Sequence, residues 1–235
     1  MKRILIKLSG EQFGGESGKG IDTDVIQLLA DDIKETLSKH DFELAIVVGG
    51  GNFVRGAELH KSENLINETT AHYMGMLATI MNSMALNDIL ESRGQVCRML
   101  LKVEANKISE GFTRLRALEH MKKGRVVIVA GGTGNPYVTT DTAAVSAALE
   151  LNCDAVVKIT KVDGVYDKDP HKHADASKFA NLNYKQVFEN PNIKVMDKAA
   201  ISLAEEHNLP IYVTKLEKGM LSKILEGKFE GTILS

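Results

Sequence analysis

Three charged side chains in this sequence stand where anion chemistry can be built: Lys7, Arg55 and Asp141. Each lies in or beside a glycine turn that follows a short apolar run. The runs are Ile4-Leu5-Ile6 before Lys7-Leu8-Ser9-Gly10, Ala45 to Val48 before Gly49-Gly50-Gly51-Asn52-Phe53-Val54-Arg55-Gly56, and Val126 to Val129 before Gly131 to Asp141. A strand that ends in such a turn at a helix N-terminus presents unpaired backbone N–H groups and the positive end of a helix dipole. That construction suits an anion, above all a phosphate. Ordinary β-to-α turns use the same Gly, Asn and Pro residues, so one turn alone decides nothing; three of them favour the anion. Ligands of open α/β sheets collect at the carboxyl ends of the strands, so the three turns are expected to converge in one cleft. Backbone cradles, two cations and an orienting carboxylate suit phosphoryl transfer, which needs positioning and charge stabilisation above all.

The common nucleotide signatures are absent. A P-loop requires G-x-x-x-x-G-K-[ST], but Phe13 occupies the first glycine position before Gly18-Lys19, and Gly20 follows the lysine. A dinucleotide fingerprint would need glycine where Gly132-Thr133-Gly134-Asn135-Pro136 continues into Tyr137. Asp41-Phe42-Glu43 is no D-F-G, and no H-R-D occurs.

The elements that must carry these turns follow from periodicity. Short strands are expected at Ile4–Leu8, Glu43–Val48, Gln95–Leu100, Val126–Val129, Asp154–Ile159, Leu209–Val213 and Thr232–Leu234. Helices are expected over about 24–39, 67–92, 113–123, 183–188, 197–207 and 218–226, with a further one through Ala143, Ala144, Ala147 and Ala148. Gly14 to Gly20 reads as a mobile loop, Asp163-Gly164 as a hairpin signal, and His171 to Lys178 as a polar loop. His171-x-His173 fits a solvated turn better than a metal site. Met74, Leu77, Met81 and Ala85 share one stripe of the long helix, which marks core or a subunit interface. Strands alternating with helices imply an α/β fold with a largely parallel sheet covered on both faces.

Composition agrees with a globular protein of this class. The chain has 235 residues, 43% hydrophobic and 26% charged, with Lys+Arg 29 against Asp+Glu 31. That balance gives no nucleic-acid footprint, and no apolar run approaches a bilayer span. The basic N-terminus loses its apolar run at Lys7 and reads as a first strand rather than a signal peptide. Cys97 and Cys153 lack metal-ligand spacing and are expected as buried free thiols. No linker or repeat divides the chain, so residues 1–235 are expected to form one domain.

Several segments carry a family resemblance: Lys7 to Glu11, Gly49 to Gly56, Met74-Gly-Met-Leu-Ala-Thr79, Gly132 to Asp141, Lys161-Val-Asp-Gly-Val165 and Lys194-Val-Met-Asp197. Together, in this order, the chain resembles the bacterial-type uridylate (UMP) kinases of the amino-acid-kinase superfamily. The resemblance implies a three-layer α/β/α sandwich around a largely parallel central sheet and γ-phosphoryl transfer from ATP to UMP. It also implies a Mg²⁺ requirement, a cytoplasmic location and a homohexamer, with an N-terminal part mainly for UMP and a C-terminal part mainly for ATP. Residue by residue, it implies that Lys7, Leu8, Ser9, Gly10, Gly51 and Arg55 meet the ATP phosphates, and that Thr160, Tyr166 and Asp169 meet adenosine. Gly50, Thr133, Gly134, Asn135, Pro136, Tyr137, Val138, Thr139 and Thr140 fall to UMP. Lys7, Arg55 and Asp141 are the catalytic set, with Lys158 or Lys161 as substitutes for the second cation, and Asp141 orienting rather than acting as a base.

The chain departs from the family at two places. His72 stands where relatives carry an Asp that contacts the UMP ribose; it can hydrogen-bond a hydroxyl or merely fill surface space. Gly18 to Asp22 and Arg98 match a loop and a basic residue that bind GTP as activator in many relatives, and UTP inhibition is a second possible control. Asn87 and Glu91, however, replace basic residues there, and Glu91 repels a triphosphate. Two rival readings stay open at this stage: an acyl-phosphate-forming kinase acting on glutamate, acetylglutamate or aspartate, and a non-catalytic nucleotide or oxyanion binder on the same fold.

Overall fold

Strand β1 (Arg3–Leu8) decides the architecture, because Ile4, Leu5, Ile6 and Leu8 are all buried. A strand apolar on both faces needs cover on both, as parallel sheets provide. The computed structural model, which describes residues 1–54, 66–190, 193 and 195–235, places β1 inside a long sheet. Among the described residues the strand order is β4 (Glu110–Gly111), β3 (Cys97–Leu101), β5 (Val126–Ala130), β2 (Glu43–Val48), β1, β6 (Ala155–Thr160), β10 (Ile211–Lys215), β11 (Thr232–Leu234) and β9 (Asn181–Leu182). From β4 to β10 the pairings are parallel; β11 runs antiparallel to β10 and parallel to β9.

Alternation along β1 sorts the helices into two layers. Ile4, Ile6 and Leu8 face a core filled by Ile26, Leu29 and Ile33 of α2 (Thr23–Lys39), Ile80, Leu86 and Leu90 of α3 (Glu68–Ser92), and Leu221 and Ile224 of α8 (Met220–Leu225). The short helix α1 (Gly10–Phe13) adds Phe13 to this side. Leu5 faces the opposite core, which contains Ala117 of α4 (Arg114–Lys122), the alanines of α5 (Thr140–Glu150), Val187 of α6 (Tyr184–Glu189) and Ala200 of α7 (Lys198–Glu206). The expected three-layer α/β/α sandwich is what forms. Lys7 shares the parity of Leu5 and therefore faces the α5 layer.

Side-chain caps fix the starts of several helices. Asp22, Thr113, Thr139 and Asp197 each accept a backbone N–H at a helix start, and Asn183 forms a full capping box with Gln186. Both cysteines are free and buried, and burial pushes each thiol up to about 12. The hairpin expected at Asp163-Gly164 does not form. Val165 of β7 (Val165–Tyr166) pairs instead with Phe179 of β8 (Lys178–Phe179), because Asp163 is held by Lys178 and by the Tyr166 hydroxyl. The glycine loop expected to be mobile is tied at both ends: Asp22 N donates to Phe13 O, and Gly20 N to Asn52 O.

Asp32 joins α2 to α8. Its carboxylate is buried and accepts from Gly219 N at 2.6 Å and Leu221 N at 3.2 Å. Burial pushes its pKa above the usual carboxylate value, against the pull of those two N–H groups. Asp32→Ala leaves the buried Leu221 N and the partly buried Gly219 N without their acceptor, so a loss of about 1–3 kcal/mol is expected in urea unfolding with turnover of the folded protein unchanged. An unaltered unfolding midpoint would show that water replaces the cap.

Candidate active site

The centre of the site is set by register. Lys7 of β1 and Lys158 of β6 are direct partners in the parallel ladder, so both ammonium stems project from the same face. Like charges opposite each other repel, and both side chains are almost buried. Asp141, in the first turn of α5, enters between them. Its Oδ1 lies 2.7 Å from Lys7 Nζ and its Oδ2 2.8 Å from Lys158 Nζ. Lys158 Nζ also donates to Val195 O. The α5 start is fixed by Thr139, whose Oγ1 accepts from Asp141 N at 3.0 Å, and the dipole there favours a carboxylate.

Burial by itself raises the Asp141 pKa, but the charges of Lys7 and Lys158 outweigh it and hold the carboxyl below the usual range. Lys158 is pushed below the usual lysine value, by burial first and then by Lys7, against the raising influence of Asp141 and Asp197. Two cations facing one anion leave a surplus positive charge, the local field that a phosphoryl group in transfer requires.

A cleft of about 420 Å³ opens beside this triad. Lys7, Ser9, Lys158, Thr160, Tyr166 and Asp169 are among its lining residues, which brings five of the residues expected at ATP into one space together with Lys158. Leu8 points into the core, so only its backbone is available. Gly10, next to the cleft-lining Ser9, is pressed against Gly51: a Cβ on Gly10 would lie 2.3 Å from Gly51 N. Gly50 packs on α3, where a Cβ would lie 2.7 Å from Ala78 Cβ. The Lys7 and Gly49 turns therefore meet, as expected. Arg55 lies outside the described residues. Lys161 is largely exposed and sits 3.4 Å from Glu11, so Lys158 is the second cation at Asp141 among the described residues.

The third turn reaches the same point through α5. Thr133 Oγ1 and Asn135 close a small turn, with Asn135 N and Asn135 O each 3.2 Å from that hydroxyl. Gly134 packs on the Lys102 backbone, and Thr139 donates to Asp197, which also accepts from Thr142 at 2.8 Å. Tyr137 and Val138 are exposed, with Asn135 beside them and Pro136 and Thr140 partly covered. Tyr137 adopts φ 65°, an unusual conformation for a non-glycine residue. It is held there by the His72 ring, 4.8 Å between centroids, and by a 2.9 Å hydrogen bond between its hydroxyl and Thr69 Oγ1. His72 is thus brought to the loop rather than left on open surface.

Sequence reasoning missed the residues that hold these turns from beneath. Thr79 and Asn82 of α3, and Asn52 in the second turn, are buried and hydrogen-bonded to turn backbone. For Thr79 and Asn82 the signal was present, because polar residues inside an otherwise apolar helical stretch are seldom buried without a partner. Lys158, already expected as a substitute for the second cation, carries a comparable signal, a lysine within the apolar run Ala155 to Ile159. At the other end of α3, Glu91 engages Arg98 at 3.2 Å and accepts from Cys97 N.

An α/β sandwich with glycine turns gathered around a lysine–carboxylate–lysine centre defines a phosphate-handling enzyme class. The chain belongs to the amino acid kinase family, whose model matches residues 2–215. It is 46% identical to a uridylate kinase of Sulfurimonas denitrificans over 226 residues, covering 96% of this chain and 94% of that protein. A uridylate kinase of Campylobacter concisus is 49% identical over 225 residues, covering 95% and 93%. Among solved structures, the UMP kinase from Bacillus anthracis superposes with a TM-score of 0.93 at 36% identity, covering 100% of this chain and 96% of that one.

Proposed function

We propose that this chain is a UMP kinase, transferring the γ-phosphoryl group of ATP to UMP to give UDP and ADP in pyrimidine nucleotide synthesis. The observation that carries the reading is Asp141 clamped between Lys7 and Lys158, where the cleft lined by Thr160, Tyr166 and Asp169 meets the helix that follows the 131–140 turn. The names of the relatives support the same reading.

In this mechanism a UMP phosphate oxygen attacks the γ-phosphorus in line, and Lys7 and Lys158 stabilise the charge on the transferring group. Asp141 orients the two ammoniums. It is no general base, because each of its oxygens faces an ammonium and the attacking phosphate is already anionic. Arg55 would add a further cation. ATP takes the Lys7–Gly10 turn and the Thr160–Asp169 segment; UMP takes Gly50, His72 and Thr133 to Thr140. The whole chain acts as one domain, its N-terminal part mainly for UMP and its C-terminal part mainly for ATP.

Mg²⁺ fits this site as a companion of ATP. Among the described residues no group of three or more His, Cys, Asp or Glu could hold a metal ion. The ion would be carried mostly by the ATP phosphates and water, in keeping with its reluctance to dehydrate, and would neutralise phosphate charge when bound.

A coupled ADP-release assay over UMP, CMP, dTMP and the amino acids tests the proposal. Turnover with UMP is expected; turnover with an amino acid alone, or with none of the acceptors, would reject it. GTP is expected not to activate, since Glu91 already occupies Arg98; its addition to a UMP saturation curve is the check.

Assembly into a homohexamer in the cytoplasm belongs to the same proposal. Its support is the exposed stripe of Tyr73, Leu77, Met81 and Met84 on α3, an apolar face of the kind that marks subunit contacts. Light scattering of Leu77→Glu against the parent chain tests it; an unchanged mass would remove α3 from the interface. Among the described residues no helix is long and apolar enough to cross a membrane.

A further inference from the structure

Helix α3 runs beneath two of the glycine turns, and one polar side chain on each of two successive helical turns holds a different one. Thr79 Oγ1 accepts from Gly131 N at 2.9 Å and donates to Met76 O at 2.7 Å. Asn82 Nδ2 donates to Gly49 O at 2.7 Å and to Asn52 Oδ1 at 2.7 Å, while Asn52 Nδ2 returns a bond to Asn82 Oδ1 at 2.9 Å. Asn52 Nδ2 also donates to Gly20 O at 2.6 Å. Thr79, Asn82 and Asn52 are 3%, 0% and 5% exposed, so none of them is placed to touch a nucleotide.

These contacts have a geometric consequence. Gly131 begins the turn assigned to UMP, and Gly49 begins the turn that is pressed against Gly10 and carries Gly50, assigned to UMP, and Gly51, assigned to the ATP phosphates. Both are anchored to one helix by neutral, reciprocally satisfied bonds, which favour a single arrangement over looser ones. Helix backbone between residues 79 and 82 does not stretch, so the spacing of the two turns is copied from the helix.

We propose that Thr79 and Asn82 are positioning residues: Thr79 sets the acceptor turn, Asn82 with Asn52 sets the Gly49–Asn52 turn, and α3 fixes the separation of the two nucleotides. The proposal rests on the UMP kinase reading and names the part of the fold that brings donor and acceptor into line. A misplacement of about 1 Å far from the chemistry can cost on the order of 100-fold in rate, which is the effect at issue.

The test is steady-state kinetics on Thr79→Val, Thr79→Ser and Asn82→Asp, with thermal melting of each. Thr79→Val keeps the shape and loses the acceptor for Gly131 N; its KM for UMP is expected to rise about tenfold with the KM for ATP within about twofold, and Thr79→Ser should restore the parent values. Asn82→Asp loses the donor to Gly49 O; its kcat is expected to fall about 10–100-fold with KM for UMP changed far less. Purely structural residues would lower the melting temperature and leave the kinetic constants of the folded protein alone, and that result overturns the proposal. If Asn82→Asp does not fold, the Thr79 pair decides alone. A parent chain inactive on UMP would sink the functional reading and this proposal together, whereas an active parent with unmoved variants sinks only this one.

Discussion

Replacing Lys7 with Met is expected to lower turnover about 10²–10³-fold while the KM for UMP changes only a few-fold. Lys7 projects from the end of β1 into the cleft, where its charge meets a transferring phosphoryl group rather than a resting nucleotide base. A group that acts mainly in the transition state shows its loss in kcat more than in KM. Stability is expected to behave differently. Met fills a similar volume, and the variant keeps Asp141 with Lys158, one charge against one, so unfolding free energy should stay within about 1 kcal/mol of the parent or rise slightly. ADP release under saturating nucleotides and a urea titration measure the two quantities. Turnover near the parent level would remove Lys7 from the mechanism.

Asp141→Asn should show the reverse balance, with a large loss in stability as well as in activity. Lys7 and Lys158 are register partners on one face, and without the carboxylate two nearly buried ammoniums face each other with no counter-charge between them. Breaking a buried charged group in this way typically costs about 3–5 kcal/mol. The pH dependence follows from the directions of the shifts. Asp141 is held below its ordinary value, so in the parent its contribution is fully present above about pH 4 and is lost as pH falls through its lower folded pKa. Lys158 is held below its ordinary value, so the folded state sheds that proton first and stability rises with pH between its folded pKa and about 10.4. In Asp141→Asn the counter-charge is gone and Lys158 falls further, so the variant should recover part of its loss when urea unfolding is moved from about pH 7 to about pH 9.5. A variant as stable as the parent at neutral pH would mean that water solvates the two lysines.

Most of the secondary structure was legible because its signals are local. Glu43–Val48 and Thr232–Leu234 form the strands their β-branched runs predict, and Asp197 caps α7 as its position suggests. The misses are short and non-local. The two-residue strands β4, β8 and β9 have no periodicity to read, and exist because a neighbouring edge offers them a ladder. The hairpin expected at Asp163-Gly164 failed for a related reason: Lys178 and Tyr166 take the Asp163 side chain, and neither partnership follows from the dipeptide. On α3, the stripe of Met74, Leu77, Met81 and Ala85 could serve core or interface by spacing alone; only packing showed that Leu77 and Met81 turn outward while Ala85 packs partly against the core beside Ile80, Leu86 and Leu90.

The chemistry divides in the same way. By itself the sequence determined the alternating strands and helices, the three glycine turns, and the presence of Lys7 and Asp141 beside them, since turn residues, caps and apolar runs act over a few neighbouring positions. Register and layer packing, which join residues far apart in the chain, decided the rest. They paired Lys7 with Lys158 across β1 and β6, dropped Asp141 between them from α5, and put Thr79 and Asn82 under turns some thirty to fifty residues away. A lysine inside an apolar strand looks like an exception in the sequence; beside a carboxylate brought in by another element it becomes half of the site.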